Sequence, residues 1–241
     1  NKNVHIKDVV CVENYRQGIS VISAENLLIE NTVMRDTWGT APQAGIDFEP
    51  NEPSERLVNC VMRNCVSENN RGDGYDFYIP TVNAESARVS VRFENCVSRG
   101  CLRGLVITTG NDDHAAVKGK MDFINCRFEG SEQCGIIINQ KPANRCPLSF
   151  VNCEISDTAV RQPSQTPIMF TSGSNDPESN GGVKFRNCTV KDPVDRLPIS
   201  YLDMGSGLAL SVVTGSLTVE RNNRRSVYKL DQKLIDTWMP H

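Results

Sequence analysis

Short runs of alternating apolar and polar residues, each opened by glycine or proline, recur along the whole chain. The seven runs are GISVIS at 18, GIDFEP at 45, GYDFYI at 74, GLVITT at 104, GIIINQ at 135, PIMFTS at 167 and PISYLD at 198. They are too brief and too rich in β-branched residues for helices, so the alternation predicts β-strands. No amphipathic helical stretch separates them, which argues against a fold of alternating strands and helices.

A second phrase, an apolar residue followed by any residue, Asn and Cys, recurs between these runs. With its weaker copies it places a corner Asn or Asp at positions 8, 31, 64, 95, 125, 152 and 187, spaced by roughly 30 residues. Variable repeats of this kind, with short strands and a turn at a fixed residue, predict an all-β parallel β-helix, a solenoid of about 7–8 coils. An antiparallel sandwich is the alternative, but it gives no reason for one corner residue to recur.

Aligning the runs places two apolar columns toward the inside of the predicted solenoid. The first column contains Ile19, Ile46, Tyr75, Leu105, Ile136, Ile168 and Ile199. The second contains Val21, Phe48, Phe77, Ile107, Ile138, Phe170 and Tyr201. Every member is apolar or aromatic, as a stacked core requires.

The Asn-Cys phrase also predicts how the corners are held. Asn tolerates the left-handed backbone conformation, and its amide can bond to the amides stacked above and below it. We interpret Cys65, Cys96, Cys126, Cys153 and Cys188 as small buried residues stacked on one another. Disulfides among the ten cysteines are the alternative. Metal binding by these cysteines is disfavoured because no CxxC pair or histidine cluster is present.

The pattern indicates a single domain over residues 1–241, with coils over 1–222 and a polar C-terminal cap over 223–241 that includes about one helical turn. The N-terminus enters the repeat at once, so we expect that the chain is the C-terminal part of a longer β-helix. The formal net charge of −3 and the absence of a long apolar run predict neither nucleic-acid binding nor membrane insertion.

Acidic residues stand in the outward positions of only two neighbouring runs. Asp47 and Asp76 share one outward column, and Glu49 lies two residues after Asp47. Residues stacked in adjacent coils are about 4.8 Å apart at the backbone, so these acids should form one patch in which at least one carboxyl stays protonated. A protonated acid beside an ionised one can hydrolyse glycosides, with retaining or inverting spacing. A calcium site and a plain solvated surface are the alternatives.

Polar side chains precede these strands and predict a cleft over the acidic patch. Arginine offers a planar fork for acidic sugars, and Trp38 either stacks against a sugar ring or covers the edge of a coil. The three histidines are scattered, and we assign none of them a catalytic role. The expected substrate-binding residues are Arg16, Gln17, Gln43, Arg71, Asp73, Tyr78 and Arg103.

Residues 16–53, from RQGISVIS to GIDFEPNEP, are similar to a segment of bacterial and phage β-helix proteins that act on polysaccharides. The chain as a whole resembles the right-handed parallel β-helix proteins of the pectate-lyase-like superfamily. That resemblance implies a polysaccharide or oligosaccharide substrate and a secreted or periplasmic protein. It also implies a homo-oligomer as one expected state, since trimers are common among relatives of this kind.

The resemblance is incomplete at the residues that carry chemistry. The paired aspartates and Gly-His-Gly of polygalacturonases are absent. Asp47, Glu49 and Asp76 are similar to the calcium-binding carboxylates of pectate lyases, but no catalytic Arg or Lys segment matches. Arg71, Arg103 and Lys141 are the nearest candidates for that role.

We therefore expect a glycoside hydrolase with Asp47, Glu49 and Asp76 as its catalytic residues and no required cofactor. A calcium-dependent polysaccharide lyase and a non-catalytic glycan-binding module are the two alternatives.

Overall fold

The computed structural model describes residues 1–110, 117–162 and 164–239, and it is almost entirely β-structure. The strands of the first half are β1 (Lys2–Lys7), β2 (Val10–Val12), β3 (Gln17–Val21), β4 (Ala24–Glu30), β5 (Val33–Arg35), β6 (Ala44–Phe48), β7 (Leu57–Arg63), β8 (Val66–Glu68), β9 (Asp73–Tyr78), β10 (Val89–Glu94), β11 (Val97–Arg99) and β12 (Arg103–Thr108). Those of the second half are β13 (Gly119–Ile124), β14 (Arg127–Glu129), β15 (Ile136–Asn139), β16 (Leu148–Val151), β17 (Glu154–Ser156), β18 (Ile168–Thr171), β19 (Gly181–Lys191), β20 (Ile199–Leu202), β21 (Ser211–Arg221) and β22 (Arg224–Leu230). One helix, α1 (Gln232–Trp238), follows them.

The strands wind into a parallel β-solenoid of about seven coils. Every third strand from β3 to β18, together with β20, forms a seven-stranded parallel sheet with one strand per coil. The other strands form a 15-stranded sheet around the remaining sides. This sheet consists of two series of stacked strands, and the long strand β19 belongs to both because it pairs with β16 and with β17. Because equivalent strands are neighbours, a residue's position in its repeat fixes its column in the stack.

The predicted inward columns are confirmed by the strand register. Ile19 pairs with Ile46, Ile46 with Tyr75, and the series continues to Ile199. The second column is in the same register, and in it the rings of Phe48 and Phe77 stack with centroids 4.5 Å apart. These residues belong to one continuous apolar core that runs the length of the solenoid.

The corner asparagines form the predicted ladder. Each adopts a left-handed conformation, with φ between 52° and 54° from Asn31 to Asn187. Each side-chain amide donates to the residue one coil below, across 3.1 to 3.4 Å, down to Asp8. A second, shorter ladder through Asn3, Asn26 and Asn59, joined by bonds of 2.9 Å, was not predicted, because only Asn59 is followed by a cysteine and the phrase therefore does not recur.

All ten cysteines are free thiols, so the disulfide alternative is wrong for this structure. The five cysteines that follow the corner asparagines are buried, as predicted. Burial raises the pKa of Cys60 to about 12. Buried thiols of this kind act as small apolar residues of the core.

The C-terminal segment leaves the parallel path and covers the last coil. Strand β22 turns back along β21 in antiparallel register, and α1 follows it. Asp231 caps the helix by accepting a bond from Leu234 N, Ile235 is buried, and Trp238 meets the edge of Tyr228 with centroids 5.2 Å apart. The predicted cap is therefore present, with a hairpin strand and about two helical turns instead of one.

Across the described ranges, no helix is long and apolar enough to cross a membrane.

We predict that Asn95→Ala destabilises the solenoid by about 2–3 kcal/mol, because it removes two ladder bonds worth about 1 kcal/mol each and leaves alanine in a left-handed conformation that asparagine tolerates better. Asn95→Gly removes the same amide but tolerates the backbone, and it should cost less. Urea unfolding of the two variants measures both effects. An alanine variant as stable as the glycine variant would show that the left-handed corner contributes nothing.

Candidate functional site

The acidic residues lie on the outer face of the seven-stranded sheet, in the second and third coils. Asp47 on β6 and Asp76 on β9 are direct register partners. Their neighbours in the same column are Ser20 below and Val106 above, so the acids end abruptly at the fourth coil. There Val106 and Ile137 form an apolar cluster with Cys134, against which Met169 packs. The acids thus lie beside an apolar wall that reduces their hydration.

Asp47 is the most enclosed of the three predicted carboxylates. It faces outward by register, yet it is only 1% exposed. Its Oδ1 atom has no hydrogen-bond partner within the described part of the chain. The alternative of a plain solvated surface is therefore wrong for Asp47. An unpaired carboxylate oxygen at the floor of a groove is costly unless the group holds a proton or meets a ligand.

A fourth acid, Asp73, joins the cluster from the start of β9. It is 1% exposed and faces Arg103 of the next coil, whose Nε and Nη2 donate to Oδ1 and Oδ2 across 2.5 and 2.8 Å. The two residues were predicted as separate substrate contacts, but the structure joins them in a two-pronged ion pair. Both carboxylate oxygens of Asp73 therefore bond to Arg103, which is half-buried.

Arg16 closes the opposite side of the site. Its Nε donates to the carbonyl oxygen of Ala41 across 3.2 Å, and its Nη2 lies 3.4 Å from Oε2 of Glu49. The Glu49 side chain remains 26% exposed. This contact holds Glu49 toward the groove and leaves it accessible to a ligand.

Together these residues line an open groove of about 270 Å³. Sequence reasoning missed the two residues of the preceding loop, where a cis peptide bond joins Ala41 to Pro42. The only signal for them was a proline just before the strand. The lining consists of Arg16, Ala41, Pro42, Asp47, Glu49, Asp76 and Tyr78.

Five of the seven predicted substrate contacts do not line this groove: Asp73 and Arg103, which pair with each other, and Gln17, Gln43 and Arg71. Gln17 begins β3 and has its Oε1 atom buried without a partner among the residues described. Gln43 donates its amide to the carbonyl oxygen of Gly39 across 2.8 Å, which stabilises the loop. Arg71 is exposed at the corner of the third coil. These residues therefore do not form the groove.

Other candidate groups lie elsewhere. Lys141, a candidate lyase base, is fully buried and donates its ammonium to the carbonyl oxygens of Pro142 and Arg145 across 2.8 and 2.5 Å. Its proposed role near the groove is therefore wrong. His5 pairs with Glu30 on the other sheet. His114 and His241 lie outside the described residues.

The cluster shifts the ionisation of its own members. Burial, followed by the charges of Asp73 and Asp47, raises the pKa of Asp76 to about 8. Burial, followed by the charge of Glu49 and a hydrogen bond with it, raises the pKa of Asp47 to about 7. Burial also raises the pKa of Asp73, although Arg103 opposes the shift. At neutral pH the cluster therefore retains protons on carboxyl groups that face a groove.

This arrangement supplies a proton donor beside a carboxylate acceptor, which is the minimum for general acid–base chemistry. Its fit to calcium is poor, because calcium takes six to eight oxygen ligands. Here Glu49 is turned toward Arg16 and Asp73 toward Arg103. Within the described ranges, no three His, Cys, Asp or Glu side chains are close enough to hold a metal ion.

Comparisons with protein-family models, with curated proteins and with solved structures found no match. The chemistry of this chain must therefore be argued from its own residues.

Proposed function

We propose that this protein is a glycoside hydrolase that cleaves a polysaccharide in the groove over β6 and β9. The observation that carries the proposal is Asp76, a carboxyl with a pKa raised to about 8, which lines an open groove together with Glu49. Hydrolysis of a glycosidic bond needs a protonated acid for the leaving oxygen and a carboxylate on the other side.

In this mechanism Asp76 is the general acid. Its raised pKa keeps the proton available at neutral pH, so it can protonate the leaving oxygen as the bond breaks. Glu49 is held by Arg16 and is 26% exposed. It either takes a proton from the water that attacks the sugar carbon, or attacks that carbon itself to form a glycosyl–enzyme bond that water then hydrolyses. The sugar cation that develops in the transition state is stabilised by the negative charge of this carboxylate.

Asp47 acts through its neighbours in this mechanism. It is enclosed beneath the groove, is the register partner of Asp76, and contacts Glu49. We assign it the role of a positioning residue that shares a proton with the pair and tunes its ionisation. A polysaccharide substrate also implies a secreted or periplasmic location.

The test is incubation with a panel of neutral, uronate-containing and sulfated polysaccharides, with and without EDTA, followed by reducing-end and ultraviolet assays. We expect reducing ends to form in at least one reaction, without new absorbance and with no effect of EDTA. New absorbance from unsaturated uronates that is lost with EDTA would replace hydrolysis by the calcium-dependent lyase. Saturable binding with no product would identify a non-catalytic binding module.

A further inference from the structure

The exposed aromatic residues of the described chain all lie around the acidic groove. Tyr15, Trp38 and Tyr78 are 66%, 51% and 48% exposed, and in the described ranges the other aromatic side chains are buried or half-buried. Exposing three large rings in three adjacent coils is costly in water. Rings gathered at one groove indicate a ligand with apolar faces.

Tyr15 and Trp38 form a built platform. Their rings meet edge to face at 72°, with centroids 6.1 Å apart. The backbone fixes them, because Trp38 N donates to the carbonyl oxygen of Asn14 across 2.9 Å and Thr40 N donates to that of Tyr15 across 3.0 Å. Gly39 has a φ of 126°, and a Cβ there would lie 2.5 Å from the Tyr15 ring. Glycine at position 39 is therefore required for the loop to hold the Tyr15 and Trp38 rings together.

The platform and Tyr78 lie on opposite sides of the carboxylates. Tyr15 immediately precedes Arg16, which lines the groove and bonds to Ala41 in the loop that follows Trp38. Tyr78 is the last residue of β9, two positions beyond Asp76, and it lines the groove itself. A chain laid along the strand direction therefore passes from the platform, over the carboxylates, to Tyr78.

The charge of the groove selects against an anionic chain. Four carboxyl groups face two guanidinium groups, and both guanidinium groups are already paired, Arg16 with Glu49 and Arg103 with Asp73. The raised pKa values of Asp47 and Asp76 show that this site disfavours added negative charge. A polyuronate would bring one carboxylate per sugar into the same field.

We propose that Tyr15 and Trp38 form a sugar-stacking subsite and that, with Tyr78, they bracket the carboxylates and bind a neutral glycan chain across the groove. Sugar rings present C–H faces that pack on aromatic rings, and the flanking hydroxyl groups meet polar side chains. The same geometry predicts cleavage at internal linkages, since sugars are held on both sides of the acid. This prediction rests on the proposed hydrolase activity.

The test is calorimetric titration of the Asp76→Asn protein, in which we expect turnover to be slow, with cellohexaose, xylohexaose, mannohexaose and hexagalacturonate. We expect at least one neutral hexasaccharide to bind more tightly than hexagalacturonate. Adding Trp38→Ala should weaken that binding by about tenfold, and Trp38→Phe, which keeps a ring, should retain most of it. Leu202→Ala is the control, because Leu202 is 53% exposed and shares the column of Tyr78 at the far end of the sheet.

Two results would overturn the subsite: unchanged affinity in Trp38→Ala, or tighter binding of hexagalacturonate than of every neutral hexasaccharide. Thermal unfolding of Trp38→Ala checks that the loop change leaves the solenoid folded. Binding as expected with no turnover in the unaltered protein would retain the subsite and reject the hydrolase. Turnover that is insensitive to Trp38→Ala would retain the hydrolase and reject the subsite.

Discussion

Replacing Asp76 by Asn should lower turnover of the glycan by about 10²–10⁴-fold, the usual contribution of a general acid. The amide keeps the shape of the side chain but has no acidic proton to transfer to the leaving oxygen. The measurement is kcat from reducing-end release. Asp122→Asn, the same change on a half-buried acid that pairs with Lys120 on the other sheet, should leave kcat unaltered. Full turnover in Asp76→Asn would remove Asp76 from the mechanism.

The same assignment sets the pH dependence of the unaltered protein. Because the pKa of Asp76 is about 8, turnover should fall as the pH rises above that value and the acid loses its proton. Asp47→Asn removes the neighbouring charge that raises this pKa, so it should move the alkaline limb of the profile to lower pH. A purely structural role for Asp47 would lower the rate without moving the limb.

Asp76→Asn should also stabilise the protein at alkaline pH, which separates lost activity from lost structure. An aspartate in the unfolded chain has a pKa of about 3.9. Since the folded pKa of Asp76 is about 8, its contribution to stability is complete below about pH 4 and is lost as the pH rises through 8. The unfolding temperature of the variant relative to the unaltered protein should therefore rise between pH 5 and 9. Each kcal/mol corresponds to about 2–4 °C for a chain of this size.

Phe93→Ala should destabilise the solenoid by about 3–5 kcal/mol, the usual cost of emptying an aromatic site in a core. Phe93 is 1% exposed, and its ring contacts the rings of Phe48, Tyr75, Phe77 and Phe123 at centroid distances of 5.2 to 6.0 Å. The cavity would open beneath the strands that carry Asp47 and Asp76, so activity should be lost at a lower temperature. Urea unfolding measures the change.

The matched control is Val227→Ala. Val227 is apolar and 67% exposed on the terminal hairpin, so its replacement should change stability by less than about 0.5 kcal/mol. Phe93→Leu fills most of the site and should cost less than the alanine variant. Equal stability of Phe93→Ala and Val227→Ala would contradict a continuous aromatic core.

The repeat made most of the fold predictable. In a solenoid each coil contacts its neighbours, so the position of a residue in its repeat fixes both its partner and its face. Aligning seven short runs therefore predicted that Ile19 stacks under Ile46 and that Asp47 stacks under Asp76, and both pairs are confirmed. The Asn ladder followed from the same logic, because a left-handed corner and a stackable amide are properties of the residue itself.

The state of the site could not be predicted in this way, because it depends on residues outside the repeated phrase. Ala41 and Pro42, in the loop before β6, line one side of the groove. The equivalent loops of other coils differ in length, so the repeat does not predict this one. Asp73 and Arg103 occupy equivalent positions in adjacent coils and are register partners, so the repeat did place them together. The two-pronged ion pair that occupies both side chains, however, was seen only in the folded site. The sequence predicted Lys141 as a candidate base, but its ammonium is buried and bonds to two backbone carbonyl oxygens.

The sequence by itself determined the columns, the corner ladder, the buried thiols and the two coils in which acids gather. Only the tertiary structure decided that Asp47 is enclosed, that Asp76 and Glu49 face the groove, and that Tyr15 and Trp38 meet in one platform. The physical reason is that columns follow from a local period, whereas hydration and pKa depend on how much protein surrounds each carboxyl. That environment is set by loops and neighbouring coils distant in sequence, so it exists only in the folded chain.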